Sequence, residues 1–155
     1  MAKRKIPLNK EVLRTRIAYI EDSLKSLERF KGMPYGEFHS NPDHFRIAFY
    51  DLHRTLEAMM DIGSHILSRI PGVRPASYKD IPRLLDKHKI LPPAFANNEL
   101  LKMTSYRNRM VHFYGEITEH ELYRIVQEEL EDIVTFCVYV NEVLMNPLNF
   151  NLTVE

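Results

Sequence analysis

Phe45, Phe49, Leu52, Leu56, Met59, Gly63, Ile66 and Ile70 recur at steps of three and four residues. That is the period of one face of an α-helix. Asn41-Pro42 supplies a capping side chain and a proline for the first helical position. Pro71-Gly72 supplies the stop. The stripe runs for about seven turns. A face that long cannot stay in water, so the rest of the chain must supply helices to cover it.

Candidates for the cover stand on both sides. Leu13, Ile17, Ile20, Leu24 and Leu27 mark a first helix from Asn9 to about Lys31, with Asn9 as its cap and Gly32, Pro34 and Gly36 as its end. Gly36 to Ser40 reads as a loop. A short helix is expected after Ser77-x-x-Asp80, delayed or bent by Pro82 and anchored by Leu84 and Leu85. Ala94 to about Tyr114 forms another helix, with Leu100, Met103, Tyr106, Met110 and Phe113 inward. Thr118-x-x-Glu121 is a capping box that opens a last long helix, stopped at Asn146-Pro147 and followed by a tail. The second half of that helix is apolar nearly all round, which places it centrally or against a second subunit. The reading is a single all-α domain over residues 1–155, an antiparallel bundle of four to five helices.

Composition narrows the function classes. The 155 residues fit one domain, and 45% hydrophobic with 27% charged content is ordinary for a globular fold. Lys+Arg equals Asp+Glu, which argues against a protein that coats nucleic acid in bulk. Local binding of RNA stays open. Basic residues crowd the N-terminus, and the stretch from Glu116 to Asp132 is acidic; solvated faces are the plain reading and electrostatic choice of a partner the sharper one. The one cysteine, Cys137, sits among Phe136 and Val138 as a small buried hydrophobe would. No apolar run reaches the ~18 residues of a membrane helix, and no signal core follows the N-terminal charges. A cytoplasmic location without a membrane partner is expected.

Chemistry concentrates in Tyr106-Arg107-Asn108-Arg109-Met110-Val111-His112-Phe113-Tyr114. Arginine grips phosphate with a planar fork of donors. Histidine moves protons near neutral pH. The arginine–histidine spacing recurs at Arg83 and His88, and in a longer version at Arg46 and His53, so spacing alone is not distinctive. Asn108 and Tyr114 extend only this copy. On a helix, Asn108 shares a face with His112 and is placed to fix its tautomer, while Tyr114 shares one with Arg107. Arg107 and His112 diverge by about 140°. They meet over one substrate only if the helix loosens near His112 or a second subunit completes the site. His53, Glu57, Asp61 and His65 form a polar line four residues apart on the long helix. As a metal site the line is weak, since bundle metal sites draw ligands from several helices. No metal and no cofactor is expected. Glu57 and Asp61 are better read as carboxylates that orient His112 or Arg107, or hold a partner subunit.

The nine-residue stretch resembles the R-x4-H-x-Y signature of the HepT-like toxins, ribonucleases of the HEPN superfamily. The block Leu56 to Ile66 resembles that family's second helix. Ser77-Tyr78-Lys79-Asp80-Ile81, Leu84-Leu85 and Ile90-Leu91-Pro92 resemble its middle segment. The resemblance implies a HEPN-like helical fold and a symmetric homodimer with two motifs facing one cleft. It also implies that Tyr114 accepts AMP groups from an MntA-like nucleotidyltransferase antitoxin. Phe113 departs from the charged or polar residue expected between the histidine and the tyrosine.

Metal-independent RNA cleavage fits these residue types. The ribose 2′-hydroxyl attacks the adjacent phosphate, His112 transfers the proton and Arg107 stabilises the phosphate charge. The products are a 2′,3′-cyclic phosphate and a 5′-hydroxyl. The sequence thus points to an RNA endonuclease toxin with catalytic Arg107 and His112, supporting Asn108, Glu57 and Asp61, and modified Tyr114. The alternative is a non-catalytic helical dimer that docks on a nucleotidyltransferase or presents it a nucleotide. A third reading is a plain dimeric bundle with no ligand.

Overall fold

The apolar stripe from Phe45 to Ile66 lies on one 27-residue helix, with Ile70 just beyond its end, and the other helices are laid against it. The computed structural model describes residues 5–112 and 116–155. In chain order the elements are α1 (Lys10–Glu28), α2 (Tyr35–Ser40), α3 (Pro42–Ser68), α4 (Asp80–Lys87), α5 (Pro93–Phe95), a π-helical turn (Ala96–Leu100), α6 (Leu101–Val111), α7 (Glu119–Glu128), α8 (Leu130–Met145) and a 3-10 turn (Pro147–Phe150). The expected all-α bundle is the architecture found.

The long helix starts as the sequence requires. Asn41 Oδ1 accepts from Asp43 N (3.0 Å) and Pro42 takes the first helical position. Gly72, at φ 78°, turns the chain just beyond it. Leu52, Leu56, Met59, Ile62 and Ile66 are 0–1% exposed. Each such side chain contributes about 1.5–3 kcal/mol by leaving water.

The neighbours of α3 run antiparallel to it. On one side Ser26 bonds Asp51, Arg16 lies 3.7 Å from Asp61, and Asn9 N donates to His65 Nε2 (3.1 Å), so α1 descends as α3 climbs. On the other side Thr104 reaches Met60 and Arg107 reaches Glu57. That fixes α6 antiparallel to α3 as well. The short α4 closes a third side at Gly63. A Cβ there would lie 2.6 Å from Ile81 Cγ2. The glycine is therefore a contact requirement of the α3–α4 seam rather than a gap in the stripe.

Several elements differ from the sequence reading. The first helix ends at Glu28, before Lys31. The stretch Gly36–Ser40, read as a loop, lies in α2, whose Phe38 is 1% exposed and meets Phe30 edge-on. The helix expected from Ala94 carries a π turn and ends at Val111. The last long helix is two, broken at Glu129 (φ −121°, ψ 4°). The break is made by burial. The Glu129 side chain is only 7% exposed and takes the Tyr106 hydroxyl (2.8 Å), Arg124 (3.1 Å) and Lys102 (3.2 Å). A carboxylate read as part of a solvated acidic face is thus the polar junction of α6, α7 and α8. The final residues are no loose tail. Leu8 and Val154 form a parallel bridge, with Leu8 N donating to Thr153 O (2.7 Å) and Glu155 N to Leu8 O (3.0 Å). Cys137 is buried, and burial pushes its thiol up to about 12. Val134, Val138 and Met145 of α8 stay exposed, so that helix is not enclosed all round within one copy.

Two stability outcomes follow from these seams. Gly63→Ala forces a methyl into the branched Ile81 side chain and should cost about 1–3 kcal/mol, read as a lowered midpoint in chemical denaturation. His65 is held neutral by burial and by the neighbouring Arg69 charge, which lower its pKa from 6.5 to about 4. The unfolded chain binds that proton first, so stability should fall as pH drops from about 6.5 to about 4. His65→Gln keeps an acceptor without the titration and should flatten that part of the profile.

Candidate functional site

Arg107 lies on α6 where that helix faces the polar line of α3. Buried Met103, Tyr106 and Met110 hold α6 in register against the core. This turns the intervening Arg107 toward Glu57. Arg107 Nε donates to Glu57 Oε1 at 2.7 Å and Nη1 donates to Asn108 Oδ1 at 3.1 Å. The guanidinium carbon sits 4.2 Å from the centre of the Tyr78 ring, within the range of a cation–π contact. Three contacts of different kinds therefore fix one partly exposed cation. Among the described residues, no hydrogen bond engages Nη2.

The carboxylates of α3 do not act alike. Glu57 Oε1 is shared between Arg107 and His53, whose Nε2 lies 3.5 Å away. Asp61 pairs with Arg16 of α1 at 3.7 Å. Its pKa is raised by burial and by the nearby Glu57 charge, against the pull of Arg16 and Arg107. Asp61 therefore contributes field near Arg107 rather than a direct bond. The Tyr78 hydroxyl is pushed up by burial and by the Glu57 and Asp61 charges. The ring stays neutral beneath the guanidinium. His65, last in the polar line, serves Asn9 at the start of α1. No group of three or more histidine, cysteine, aspartate or glutamate side chains gathers as a metal site among the described residues.

His112 departs from the helical expectation. With φ −84° and ψ 90° it leaves the helix one residue after Val111, and its side chain is exposed. The chain thus loosens where the sequence geometry asked for loosening. Even so, no contact joins Arg107 and His112 within this copy among the described residues. The expected bond from Asn108 to His112 is replaced, because Asn108 Oδ1 takes the nearer Arg107 Nη1. Tyr114 and its neighbours Phe113 and Gly115 lie outside the described residues.

The segment is clamped on both sides. Arg109, two residues after Arg107, forms a fork to both oxygens of Glu121, each at 2.6 Å, and also reaches the Glu116 carbonyl. The Glu121 carboxylate is held below its usual range chiefly by those hydrogen bonds. Thr118 does cap α7, accepting from Glu121 N at 3.1 Å. The second half of the capping box is absent because Glu121 is given to Arg109. Sequence reading missed Arg109 and Tyr78 as parts of the site. Both stood in the stretches quoted above, but pairing across helices has no local spacing to reveal it.

Comparison with known proteins places the chain in a family. Residues 20–140 fit the family model described as Ribonuclease HepT-like. The chain is 24% identical over 136 residues to the tRNA nuclease HepT of Aphanizomenon flos-aquae, covering 86% of this chain and 90% of that protein. It is 28% identical over 129 residues to the mRNA nuclease HepT of Shewanella oneidensis, covering 81% and 93%. Among solved structures, it is similar to a tri-AMPylated Shewanella oneidensis HEPN toxin in complex with an MNT antitoxin. That likeness has a TM-score of 0.77 at 26% identity, over 86% of this chain and 98% of the other. The family match spans most of the chain and includes both α3 and the Arg107 helix: the chain belongs to the HepT-like ribonuclease family.

Proposed function

We propose that this chain is a metal-independent RNA endonuclease, the toxin of a toxin–antitoxin pair, and that it acts as a symmetric homodimer. The observation that carries the reading is the held guanidinium. Glu57 and Asn108 take Arg107 Nε and one Nη1 donor, which leaves the Nη edge to accept a phosphate. A cation fixed before substrate arrives loses little on reorganising as charge builds in the transition state. Attack of the ribose 2′-hydroxyl on phosphorus forms one P–O bond and expels the 5′-oxygen of the next nucleotide. His112, or its copy in the second subunit, takes the hydroxyl proton and returns one to the leaving oxygen. The second subunit matters because Arg107 and His112 share no contact within one copy. Residue types suited to proton transfer and phosphate neutralisation are both present in this chain.

The relatives support the rest of the reading. Two are named as nucleases of tRNA and mRNA, and the similar solved toxin carries AMP groups beside its antitoxin. In this chain the acceptor would be the Tyr114 hydroxyl. It would attack the α-phosphate of ATP, held by a nucleotidyltransferase partner, and release pyrophosphate. The phosphate so added would sit near Arg107 in sequence and compete with RNA for the fork. A second reading keeps the same residues without cleavage, as a helical dimer that docks on the nucleotidyltransferase. The separation of Arg107 from His112 in one copy is the observation that favours it.

His112→Ala should lower RNA cleavage in EDTA by at least ~10²-fold, while a pull-down with the nucleotidyltransferase stays intact. Unchanged cleavage by this variant would remove the histidine from the mechanism. Glu57→Ala should lower cleavage by ~10-fold or more through loss of alignment, with Glu57→Gln less affected because an acceptor for Nε remains. Co-expression with the partner enzyme should add AMP-sized mass increments to a peptide containing Tyr114. Their absence, together with an inactive unmodified protein, would leave the docking module as the better account.

A further inference from the structure

The region beyond α4 has features that the Arg107 site does not use. Lys79, Arg83 and Lys87 are exposed and four residues apart, so they form one ridge along α4. The ridge begins beside Tyr78, whose ring lies 4.2 Å from the Arg107 guanidinium carbon. It ends about 12 Å further along, at the last residue of the helix. There it meets a cleft of about 550 Å³ lined by Lys87, Lys89, Pro92, Tyr139 and Phe150. Phe150 also lines a neighbouring hollow of about 240 Å³ that contains Lys5, Arg69 and His88. Two acids border the first cleft. Asp86 is engaged by Asn97 Nδ2 at 3.0 Å, and Glu142 is exposed.

We propose that this ridge and cleft bind the single strand of RNA that extends from the Arg107 site. The inference rests on RNA being the substrate and adds where the strand runs. The cations step by about 6 Å along the helix, a spacing suited to successive phosphates of one strand. Among the described residues Lys87 and Lys89 have no carboxylate in ion-pair contact, and Arg83 has only the neighbouring Asp80 at 3.5 Å. Their charges are therefore available to phosphates. The cleft adds what phosphate contacts alone lack, flat apolar faces. The Tyr139 ring is held edge-on by Phe95 at 5.1 Å, and Phe150 is half-buried at the junction of the two hollows. Aromatic faces beside a cationic track accept stacked bases with little regard for sequence. An acidic peptide would use the lysines but not the rings, so the combination favours RNA.

The test uses a labelled 12-nucleotide 2′-O-methyl RNA, which cannot cleave by 2′-hydroxyl attack, and reads binding by anisotropy across a salt series. The triple variant Lys79→Glu, Arg83→Glu, Lys87→Glu should bind at least ~10-fold more weakly. The Gln substitutions at those exposed positions should also lose affinity, with a log–log salt slope reduced by about 2 for three lost contacts. Phe150→Ala should weaken binding of the oligonucleotide but not that of poly-glutamate. All variants should cleave a UpA dinucleotide at the parent rate, since it does not reach the ridge. Undiminished oligonucleotide binding by the charge variants would overturn the proposal, as would equal affinity of the parent for poly-glutamate of matched charge. A parent protein that does not cut UpA, but loses oligonucleotide binding in the variants, would remove the nuclease and keep the track. A parent that cuts UpA, with variants that match it in binding and cleavage, would do the reverse.

Discussion

Burial of α3 on three sides governs this molecule. A helix of 27 residues with a full apolar stripe must be covered by α1, α4 and α6, and little of its surface remains for polar groups. What remains is the line from His53 to His65. Glu57 and Asp61 there meet other helices and His65 meets the start of α1, while His53 stays beside Glu57 on the same helix. The line is divided by need. His65 serves the start of α1, Asp61 meets Arg16, and Glu57 meets Arg107. The arginine of the motif is therefore positioned by the same packing that makes the core. A disturbance of the core seams reaches the site through α3 without touching the motif itself.

The main helices and their starts were legible because their signals are local. Asn9, Asn41 and Thr118 each cap the helix that follows, by hydrogen bonds that the sequence order alone foretells. The stripe residues of α1 are buried as their period demands, as are those of α3 from Leu52 to Ile66, while Phe45 and Phe49 are only partly buried. The errors share a cause, which is pairing across distance. Glu129 looks like one more surface acid until Tyr106, 23 residues earlier, is placed beside it. Glu121 looks like half of a capping box until Arg109 takes it. Asn108 sits correctly for His112 on an ideal helix, but the helix ends first and the adjacent arginine is nearer. Of the site residues, Arg107 and Glu57 were recognised and are brought into contact. The exposed His112 stands apart within one copy.

The segment between α6 and α7 is framed by charge. Arg109 and Glu121 join the two helices next to the motif's end, and Glu129 joins them at the far end of α7. With two polar clamps a turn or more apart, α7 is restrained from rotating about either one. The motif thus runs from α6 into a connection whose two ends are fixed. Such a design lets the chain leave helical geometry, as it does at His112, without loosening the bundle around it.

The π turn at Ala96–Leu100 sets the phase of all that follows on that helix. A π turn accommodates one residue more than an α turn, which shifts the downstream face by about 100°. Arg107 points at Glu57 because that shift occurs upstream of it. One residue added or lost between Leu101 and Arg107 would swing the guanidinium a quarter-turn off α3 and carry Tyr106 away from Glu129. In this fold the spacing that matters is counted inward from the π turn as well as along the motif.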